Sequence, residues 1–344
     1  MIFNYTLLEK LLLRFNVIPH PVYDALVNVI AGRALQASLK LGLVDLLSEG
    51  YHGLSEIQQR LSFSTEGIEL LMTNLVALGY VKKTKKDMYS LSKRGQRFFN
   101  IESKYAIRNF VYFSEQVYKE FLDLEQSIKS GEAVRSLETL NPQQWEIFTN
   151  AMIEMARTNA KSIARAIPLL PSQKRLLDLG GMHGLYAIEF CKYFPQLTAV
   201  IVDYEDVRKY AERLIAQNNL QERIIFRVGD FVKESFGSGY DIILAFNIIH
   251  GLKADVNNDL TKKVFSALNP AGFYVILDQI KDSFTMSNLS RLFVSSIGLM
   301  LLNKVGGKTY PLEEIKKWCR DAAFSKLEFK RMMPPGYGMI IATK

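Results

Sequence analysis

The chain has 344 residues, of which 48% are hydrophobic and 23% are charged, and its net charge is +8. Because single hydrophobic cores stop growing at roughly 250 to 300 residues, this length predicts two domains. The composition excludes a disordered chain. The longest near-apolar run, at 292–302, is shorter than the roughly 20 residues that cross a bilayer, so no membrane segment is expected.

The cysteine content and the net charge indicate which cellular compartment and which binding partners to expect. Cys191 and Cys319 lie far apart and inside helical patterns, which speaks against a disulfide framework or a zinc site and favours a reducing cytoplasm. Residues 1–15 mix charges into an amphipathic helical pattern and do not resemble a secretion signal. The positive charge is typical of a lysine-rich surface, and nucleic acid is not an expected partner.

Residues 54–91 have the order helix, turn, longer helix and two short strands, which predicts a winged helix. Ser55 and Gln58 predict a capping box at the start of the first helix, and Gly79 is suited to end the second. The charged turn at 82–87 corresponds to the wing.

The second of these helices, at 65–78, decides between two functions. A DNA-binding version places Arg or Lys there, because phosphate contacts supply most of the affinity. This helix has Glu66 and Glu69 but no basic residue, and it has more apolar residues than one face needs. We therefore predict that residues 1–100 form an all-helical or winged-helix dimerisation domain, with a DNA-binding regulator as the alternative.

Residues 101–170 are predicted to be helical throughout and to connect the two domains, with a break at Pro142. Large apolar side chains recur within this connector at helical spacing. Such a stripe packs into a core or lines a pocket, and both interpretations stay open. If it lines a pocket for a small-molecule acceptor, the predicted lining residues, together with one from the run at 292–302, are Phe148, Met152, Met155 and Met300.

From Arg175 onward, short apolar runs alternate with helical stretches. The runs are RLLDLG, LTAVIVD, IIFRVG, YDIILAFNI and GFYVILDQI. Such alternation is typical of a parallel sheet with helices on both faces. The last two runs, KLEFKRMM and YGMIIAT, must pair antiparallel because their connection is short. Residues 171–344 are therefore predicted to form an α/β, Rossmann-like domain with seven strands.

The first strand ends in a glycine turn that contains Asp178, Gly180, Gly181 and Gly184. Glycines permit a tight turn and let a ligand approach the backbone at a helix start. A dinucleotide fingerprint would need glycine where Leu179 stands, so NAD is not expected. A carboxylate before the glycines repels a pyrophosphate but can support a cofactor that carries positive charge.

The next strands also end in residues suited to a nucleoside. Asp203 ends the second strand, where a carboxylate can accept both ribose hydroxyls. Asp230 and Phe231 follow the third strand and can contact an adenine through its amine and its ring. Phe246 and Asn247 end the fourth strand and complete the predicted cofactor set.

This pattern resembles the O-methyltransferase family of plant caffeate-type and bacterial natural-product enzymes. The matching residues occur in order and are Asp178, Gly180, Gly181, Gly184, Tyr193-Phe194-Pro195, Asp203, Arg223, Gly229-Asp230, Tyr240-Asp241 and Ile249-His250. The resemblance implies S-adenosylmethionine as cofactor, a homodimer formed through the N-terminal domain, and O-methylation of an aromatic or polyketide-like hydroxyl. It also implies that His250 is the general base and that Asp278 orients it.

Position supports His250 independently, because of the four histidines it alone follows a predicted strand. His20, His52 and His183 are interpreted as structural. Two positions depart from the plant members of the family. Gly251 stands where those enzymes have Asp, and the segment 306–311 lacks their second acid. Methylation of carbon or nitrogen, or a member that does not methylate, therefore stays an alternative.

Overall fold

A computed structural model describes residues 6–15, 17, 19–134, 139–281, 287–333 and 336–344. The chain divides into two compact units, Met1–Glu115 and Gln116–Lys344. The boundary lies inside a helix, Arg108–Glu120, so the residues predicted as a separate connector belong partly to each unit.

The N-terminal unit is mainly helical. A short π-helical turn, Tyr23–Val27, lies between its second and third helices. Its elements in chain order are α1 (Leu7–Arg14), α2 (His20–Val22), α3 (Asn28–Lys40), α4 (Leu43–Glu49), β1 (His52–Gly53), α5 (Leu54–Leu61), α6 (Thr65–Ala77), β2 (Val81–Lys83), β3 (Met88–Leu91), α7 (Lys93–Phe99) and the start of α8 (Arg108–Glu120). The three strands pair antiparallel in the order β1-β3-β2.

The predicted helix-turn-helix with a wing is present, but the predicted capping box at Ser55 is wrong. Helix α5 begins at Leu54, two residues before the start that a Ser55 N-cap would give, with Gly53 as its N-cap and no side-chain cap. Helix α6 is capped instead by Ser64, whose Oγ accepts a hydrogen bond from the Gly67 amide at 3.0 Å. Gly79 has φ +77°, the left-handed conformation expected after a helix.

The C-terminal unit contains one large sheet flanked by helices. A 3-10 turn, Phe121–Asp123, precedes these elements. They are α9 (Leu124–Ser130), α10 (Pro142–Arg157), α11 (Ala160–Ala166), β4 (Arg175–Leu179), α12 (Leu185–Tyr193), β5 (Thr198–Asp203), α13 (Glu205–Gln217), β6 (Ile224–Val228), β7 (Tyr240–Phe246), α14 (Ala254–Ala267), β8 (Leu268–Lys281), α15 (Asn288–Val305), β9 (Tyr310–Pro311), α16 (Leu312–Asp321), β10 (Lys326–Arg331) and β11 (Tyr337–Thr343).

The sheet has the order β10-β11-β8-β7-β4-β5-β6, and the two-residue β9 pairs with β8 outside this path. Strands β4 to β8 run parallel, and β11 joins β8 antiparallel, as predicted for the last hairpin. The α/β, Rossmann-like prediction is confirmed. Buried residues on both faces of the sheet form two cores, which explains why its strands are continuous apolar runs.

This topology positions the site. Strand β4 lies between β5 and β7. After β4 the chain forms β5 and β6 on one side of it, and it then crosses back to form β7 and β8 on the other side. Ligands of open parallel sheets bind beyond the carboxyl ends of the strands at this switch point. Within the described residues, no helix is long and apolar enough to cross a membrane.

Candidate active site

The turn after β4 has no room for a side chain at its glycine positions. Gly180 has φ +62°, and a Cβ built on it would lie 2.1 Å from Cδ1 of Ile248. A Cβ on Gly181 would lie 2.6 Å from the carboxylate of Asp178, and Gly184 has φ +71° at the start of α12. Glycine at these positions lets the turn close tightly while its backbone stays accessible to a ligand.

Asp178 carries a buried carboxyl group with an unused acceptor. The residue is 1% exposed, and its Oδ2 has no hydrogen-bond partner among the described residues. Burial and the nearby negative charge of Asp203 raise the pKa of the Asp178 carboxyl to about 8. An orphaned carboxyl beside an open glycine turn fits a positively charged ligand group, because such a group would favour its ionised form.

Asp203 organises the glycine turn from the end of β5. Its Oδ2 accepts a hydrogen bond from the Met182 amide at 2.8 Å, and its Oδ1 accepts one from the Tyr204 amide at 2.7 Å. Burial raises the pKa of this carboxyl to about 6. Each carboxylate oxygen can accept a second hydrogen bond, so the group remains able to bind ribose hydroxyls.

Asp230 and Phe231 lie in a tight turn after β6. Oδ1 of Asp230 accepts a hydrogen bond from the Val232 amide at 2.9 Å, and its Oδ2 lies 3.1 Å from the ammonium of Lys233. Burial acts to raise the pKa of Asp230, but hydrogen bonds from Lys233 and Val232 lower it below its ordinary value. The Phe231 ring lies 3.5 Å from a Cβ built on Gly180, so this turn and the glycine turn meet.

Phe246 and Asn247 mark the end of β7. The Phe246 ring packs edge-on against Tyr186 with centroids 4.8 Å apart and is 5% exposed, so it belongs to the core. Asn247 has φ +56°, and its Oδ1 accepts a hydrogen bond from Nε2 of Gln279 at 3.2 Å. The structure brings these strand ends beside the glycine turn but buries the Phe246 side chain.

His250 and Asp278 are in direct contact. His250 lies in a 3-10 turn, Ile249–Gly251, and its Nδ1 is 2.6 Å from Oδ1 of Asp278. Asp278 is 1% exposed and also accepts the amides of His250 and Gln279. Because a buried carboxylate accepts hydrogen bonds, Nδ1 carries the proton and Nε2 is left with a free lone pair. The side chain of His250 remains 16% exposed.

The segment that lacks the family's second acid packs against this histidine through its backbone. The Lys308 amide donates to the carbonyl of His250 at 2.9 Å. A Cβ on Gly307 would lie 2.1 Å from the same carbonyl oxygen, so only glycine fits there. The segment therefore supports the position of His250 without placing a carboxylate on its ring.

The other histidines are held by local contacts. His183 is buried, and its Nδ1 accepts the Leu185 amide at 3.0 Å. Burial and the charge of Arg157 lower its pKa to about 4. Nδ1 of His52 is 2.9 Å from Glu56, and Nε2 of His20 is 2.8 Å from the carbonyl of Leu13. In the parts of the chain that the structure describes, no group of three or more His, Cys, Asp or Glu could hold a metal ion.

The predicted acceptor residues are half-buried on two helices. Phe148, Met152 and Met155 lie on α10, and Met300 lies on α15. The two helices meet where the ammonium of Lys304, one turn beyond Met300, lies 5.4 Å from the centroid of the Phe148 ring. The geometry thus joins Phe148 to α15.

Sequence reasoning missed two features here. Lys304 is 7% exposed at its side chain and forms an ion pair with Glu120 at 3.3 Å. Burial lowers the pKa of Lys304, and the carboxylate of Glu120 opposes that shift. Lys263 binds the turn after β6. Its place beside Lys262 on a helix gives no sign of this contact in the sequence. The structure shows it through the carbonyl oxygens that surround the Lys263 ammonium.

The chain matches two family models. Residues 24–100 match an O-methyltransferase dimerisation domain. Residues 114–325, more than half the chain, match an O-methyltransferase domain. The glycine turn and the contact between His250 and Asp278 both lie within the second match.

Known proteins resemble the chain over nearly its whole length. A 3-hydroxy-5-methyl-1-naphthoate 3-O-methyltransferase of Streptomyces sahachiroi is 24% identical over 326 residues, which cover 90% of each protein. An L-tyrosine C(3)-methyltransferase of Streptomyces lavendulae is 24% identical over 332 residues, covering 90% of this chain and 88% of that protein. The crystal structure of human N-acetylserotonin methyltransferase in complex with S-adenosylmethionine superposes with a TM-score of 0.82 at 20% identity, covering 100% of this chain and 99% of that one. The chain belongs to the O-methyltransferase family and is an S-adenosylmethionine-dependent methyltransferase.

Proposed function

We propose that this enzyme methylates a hydroxyl group of an aromatic or polyketide-like small molecule, with His250 as the general base. The observation that carries this proposal is the 2.6 Å contact between Nδ1 of His250 and the buried carboxylate of Asp278. It fixes the tautomer that leaves Nε2 free to accept a proton. The relative from Streptomyces sahachiroi, which is named for O-methylation of a hydroxynaphthoate, supports an aromatic acceptor.

The residues at the strand ends fit S-adenosylmethionine. When bound, this cofactor supplies an electrophilic methyl group on a positively charged sulfur. Asp178 offers its unpartnered carboxyl oxygen to the positive charge, and the glycine turn admits the ligand. Asp203 would hold the ribose hydroxyls, and Asp230 and Phe231 would hold the adenine. Asn247 completes this set, and Phe246 supports it from the core.

The proton that His250 would accept belongs to the hydroxyl group of the acceptor, and its transfer has a moderate energetic cost. A phenol of pKa about 10 and an imidazole near 6.5 differ by about 3.5 units, which makes full proton transfer uphill by roughly 5 kcal/mol. Methyl transfer consumes the developing oxyanion, so the proton needs to leave only as the new bond forms. Asp278 stabilises the imidazolium that results. Phe148, Met152, Met155 and Met300 are proposed to hold the flat acceptor.

The test is methyl transfer from radiolabelled S-adenosylmethionine to a panel of hydroxynaphthoates and other phenols. His250→Ala should lower the rate by about 10² to 10⁴, the usual range for a positioned proton acceptor. Its affinity for S-adenosylhomocysteine, measured by calorimetry, should not change. Asp278→Asn should also lower the rate while preserving shape. Near-normal transfer by the alanine variant would reduce catalysis to alignment of the two substrates.

Methylation of nitrogen or carbon is the second candidate. The segment 306–311 lacks the second acid of the plant relatives, and Gly307 and Lys308 contact His250 through the backbone. An N,N-dimethyltransferase of Streptomyces rimosus is also similar, at 24% identity over 264 residues. Product analysis by mass spectrometry and NMR would identify the methylated atom, and a C-methyl or N-methyl product would replace the O-methyl proposal.

We also propose that two copies of the chain associate through residues 1–100, followed by a connector at 101–170 and the methyltransferase domain at 171–344. The match of residues 24–100 to a dimerisation domain supports this. Apolar side chains among residues 7–30 are exposed in the single chain, and they include Leu7, Leu8, Leu11, Phe15, Leu26 and Ile30. Light scattering should report twice the 39.2 kDa chain mass.

Two free, buried cysteines fit the proposed reducing cytoplasm.

A further inference from the structure

Lys263 occupies an unusual position beneath the turn that follows β6. Its ammonium lies 2.8 Å from the carbonyl oxygen of Phe231 and 3.4 Å from that of Val232, and it also contacts the carbonyl oxygen of Glu234. An ammonium group has three hydrogens to donate and no acceptor. The three carbonyls therefore match the full donor capacity of this one side chain.

These three carbonyls need an external donor. The Glu234 amide bonds back to the carbonyl of Asp230 at 2.7 Å, so the turn resembles a single helical turn that stops at once. The last carbonyls of such a turn point the same way and have no partner within it. A cation at this end satisfies them and interacts favourably with their aligned dipoles.

Lys263 is also held by the core of the domain. Lys263 belongs to α14, and its ammonium also lies 4.7 Å from the centroid of the buried Phe236 ring. Phe236 is 1% exposed, and its carbonyl accepts the hydroxyl of Tyr240 at 2.8 Å, where β7 begins. Burial lowers the pKa of Lys263, and the negative charges of Asp230 and Glu234 oppose that shift. The ammonium is thus built into the domain.

We propose that Lys263 is a positioning residue that holds the Asp230–Phe231 turn in the conformation required to bind the adenine of the cofactor. One of the carbonyls it binds belongs to Phe231, whose ring lies 3.5 Å from a Cβ built on Gly180 in the glycine turn. Lys263 acts through the backbone and does not itself touch the ligand. The inference rests on the proposed role of Asp230 and Phe231 in adenine binding.

The experiment is calorimetric titration of the full-length enzyme with S-adenosylhomocysteine and with 5′-methylthioadenosine, which lacks the amino-acid part. Lys263→Met keeps the apolar stem but removes all three donors, and it should weaken both ligands about fivefold to tenfold. Lys263→Arg, which retains charge and donors, should recover part of the loss. Lys262→Met is the matched control, because that neighbouring lysine is half exposed and pairs with Asp259 at 3.1 Å, and it should bind normally.

A double-mutant cycle separates positioning from general structural support. If Lys263 acts through Phe231, Lys263→Met should have little further effect once Phe231→Ala has been made. An equal loss in both backgrounds would overturn the proposal. Unchanged affinity in Lys263→Met, with weakened affinity in Phe231→Ala, would overturn the role of Lys263 and leave the adenine site standing. Unchanged affinity in both Phe231→Ala and Asp230→Ala would overturn both.

The variant must be folded for these results to count. Three carbonyls at a solvent-accessible turn can be hydrated, so Lys263→Met should unfold at a temperature within a few degrees of the wild type. If it does not fold, Lys263→Gln, which can still donate to one carbonyl, takes its place in the same cycle. Loss of coupling to Phe231 in that variant would overturn the proposal equally.

Discussion

The two sides of the candidate site are built differently. The proposed cofactor side consists of strand ends, where backbone conformation decides what fits. Gly180 adopts φ +62°, and the carboxylate of Asp203 accepts a hydrogen bond from a backbone amide of the turn. The proposed acceptor side consists of helices α10 and α15, where side chains such as Phe148 and Lys304 meet. A site fixed by backbone tolerates few substitutions, whereas a site made of helix side chains can be reshaped for new substrates.

The largest effect is expected where the backbone is most constrained. Gly180→Ala places a methyl group against Ile248 and forces a left-handed conformation on a residue that disfavours it. We expect affinity for S-adenosylhomocysteine to fall roughly a hundredfold, equivalent to about 2.7 kcal/mol. Calorimetry of the folded variant would measure this loss.

Two controls belong to this measurement. Gly32→Ala in α3 has nothing within 4 Å of the new methyl group and should bind normally. Adding Ile248→Ala to Gly180→Ala should restore part of the affinity by removing the clash but not the strain. Full affinity in Gly180→Ala alone would mean that the cofactor side is as tolerant as the acceptor side.

Sequence reasoning placed the cofactor-side residues at strand ends for the same physical reason, and their role in binding the cofactor stays a prediction. Glycines and acids at strand ends are visible as spacing, so Asp178, Asp203 and Asp230 could be placed before the fold was known. Lys263 escaped because its partners are backbone carbonyls, which no residue pattern reveals. Lys304 escaped because its partner, Glu120, lies far away in the chain. In the N-terminal unit, Ser55 looked like an N-cap, but the N-cap of α5 is Gly53, two residues earlier.

The next effect concerns Asp203, whose carboxylate accepts a hydrogen bond from the glycine turn. Asp203→Ala should lower affinity for S-adenosylhomocysteine at least tenfold, since hydrogen bonds to a charged acceptor contribute about 1.5 to 3 kcal/mol each. Asp203→Asn keeps one carbonyl oxygen for the Met182 amide and should lose less. Calorimetry that finds equal affinity in all three proteins would remove Asp203 from the site.

A smaller effect is expected from pH, and it distinguishes the buried acids from the rest of the site. The folded pKa of Asp178, about 8, lies above its unfolded value near 3.9, so the free folded protein binds an extra proton between those values. The free energy of unfolding contributed by this group is therefore full below pH 4 and is lost as pH rises toward 8. Asp203, with a folded pKa of about 6, acts in the same direction.

Binding should show the opposite slope. A cationic ligand favours the ionised carboxylate, so affinity for S-adenosylmethionine should rise several-fold between pH 6 and pH 8, while the melting temperature of the free enzyme falls. Asp178→Asn should remove the part of the pH dependence that Asp178 contributes to the affinity for S-adenosylmethionine and to the melting temperature. Differential scanning calorimetry and titration in matched buffers would measure them. A melting temperature that rises with pH over this range in the wild type, but not in Asp178→Asn, would contradict the assignment.

The smallest effect on activity is expected at the ion pair of Lys304 and Glu120, which joins α15 to the helix end before α9. Breaking a buried pair by removing one partner leaves an uncompensated charge and costs about 3 to 5 kcal/mol, so Lys304→Met alone should be markedly destabilised. The double variant Lys304→Met, Glu120→Gln removes both charges and should regain most of the melting temperature.

Because the cofactor side is built independently from strand ends, affinity for S-adenosylhomocysteine should stay within twofold. The KM for the acceptor should rise only a few-fold, since Phe148 loses a neighbour but keeps its packing against Trp145. Lys317→Met, which removes an exposed pair with Asp321, is the matched control and should change neither property. If the double variant lost cofactor affinity as well, the two sides of the site would not be independent, and their separation into a backbone-fixed half and a side-chain half would have to be abandoned.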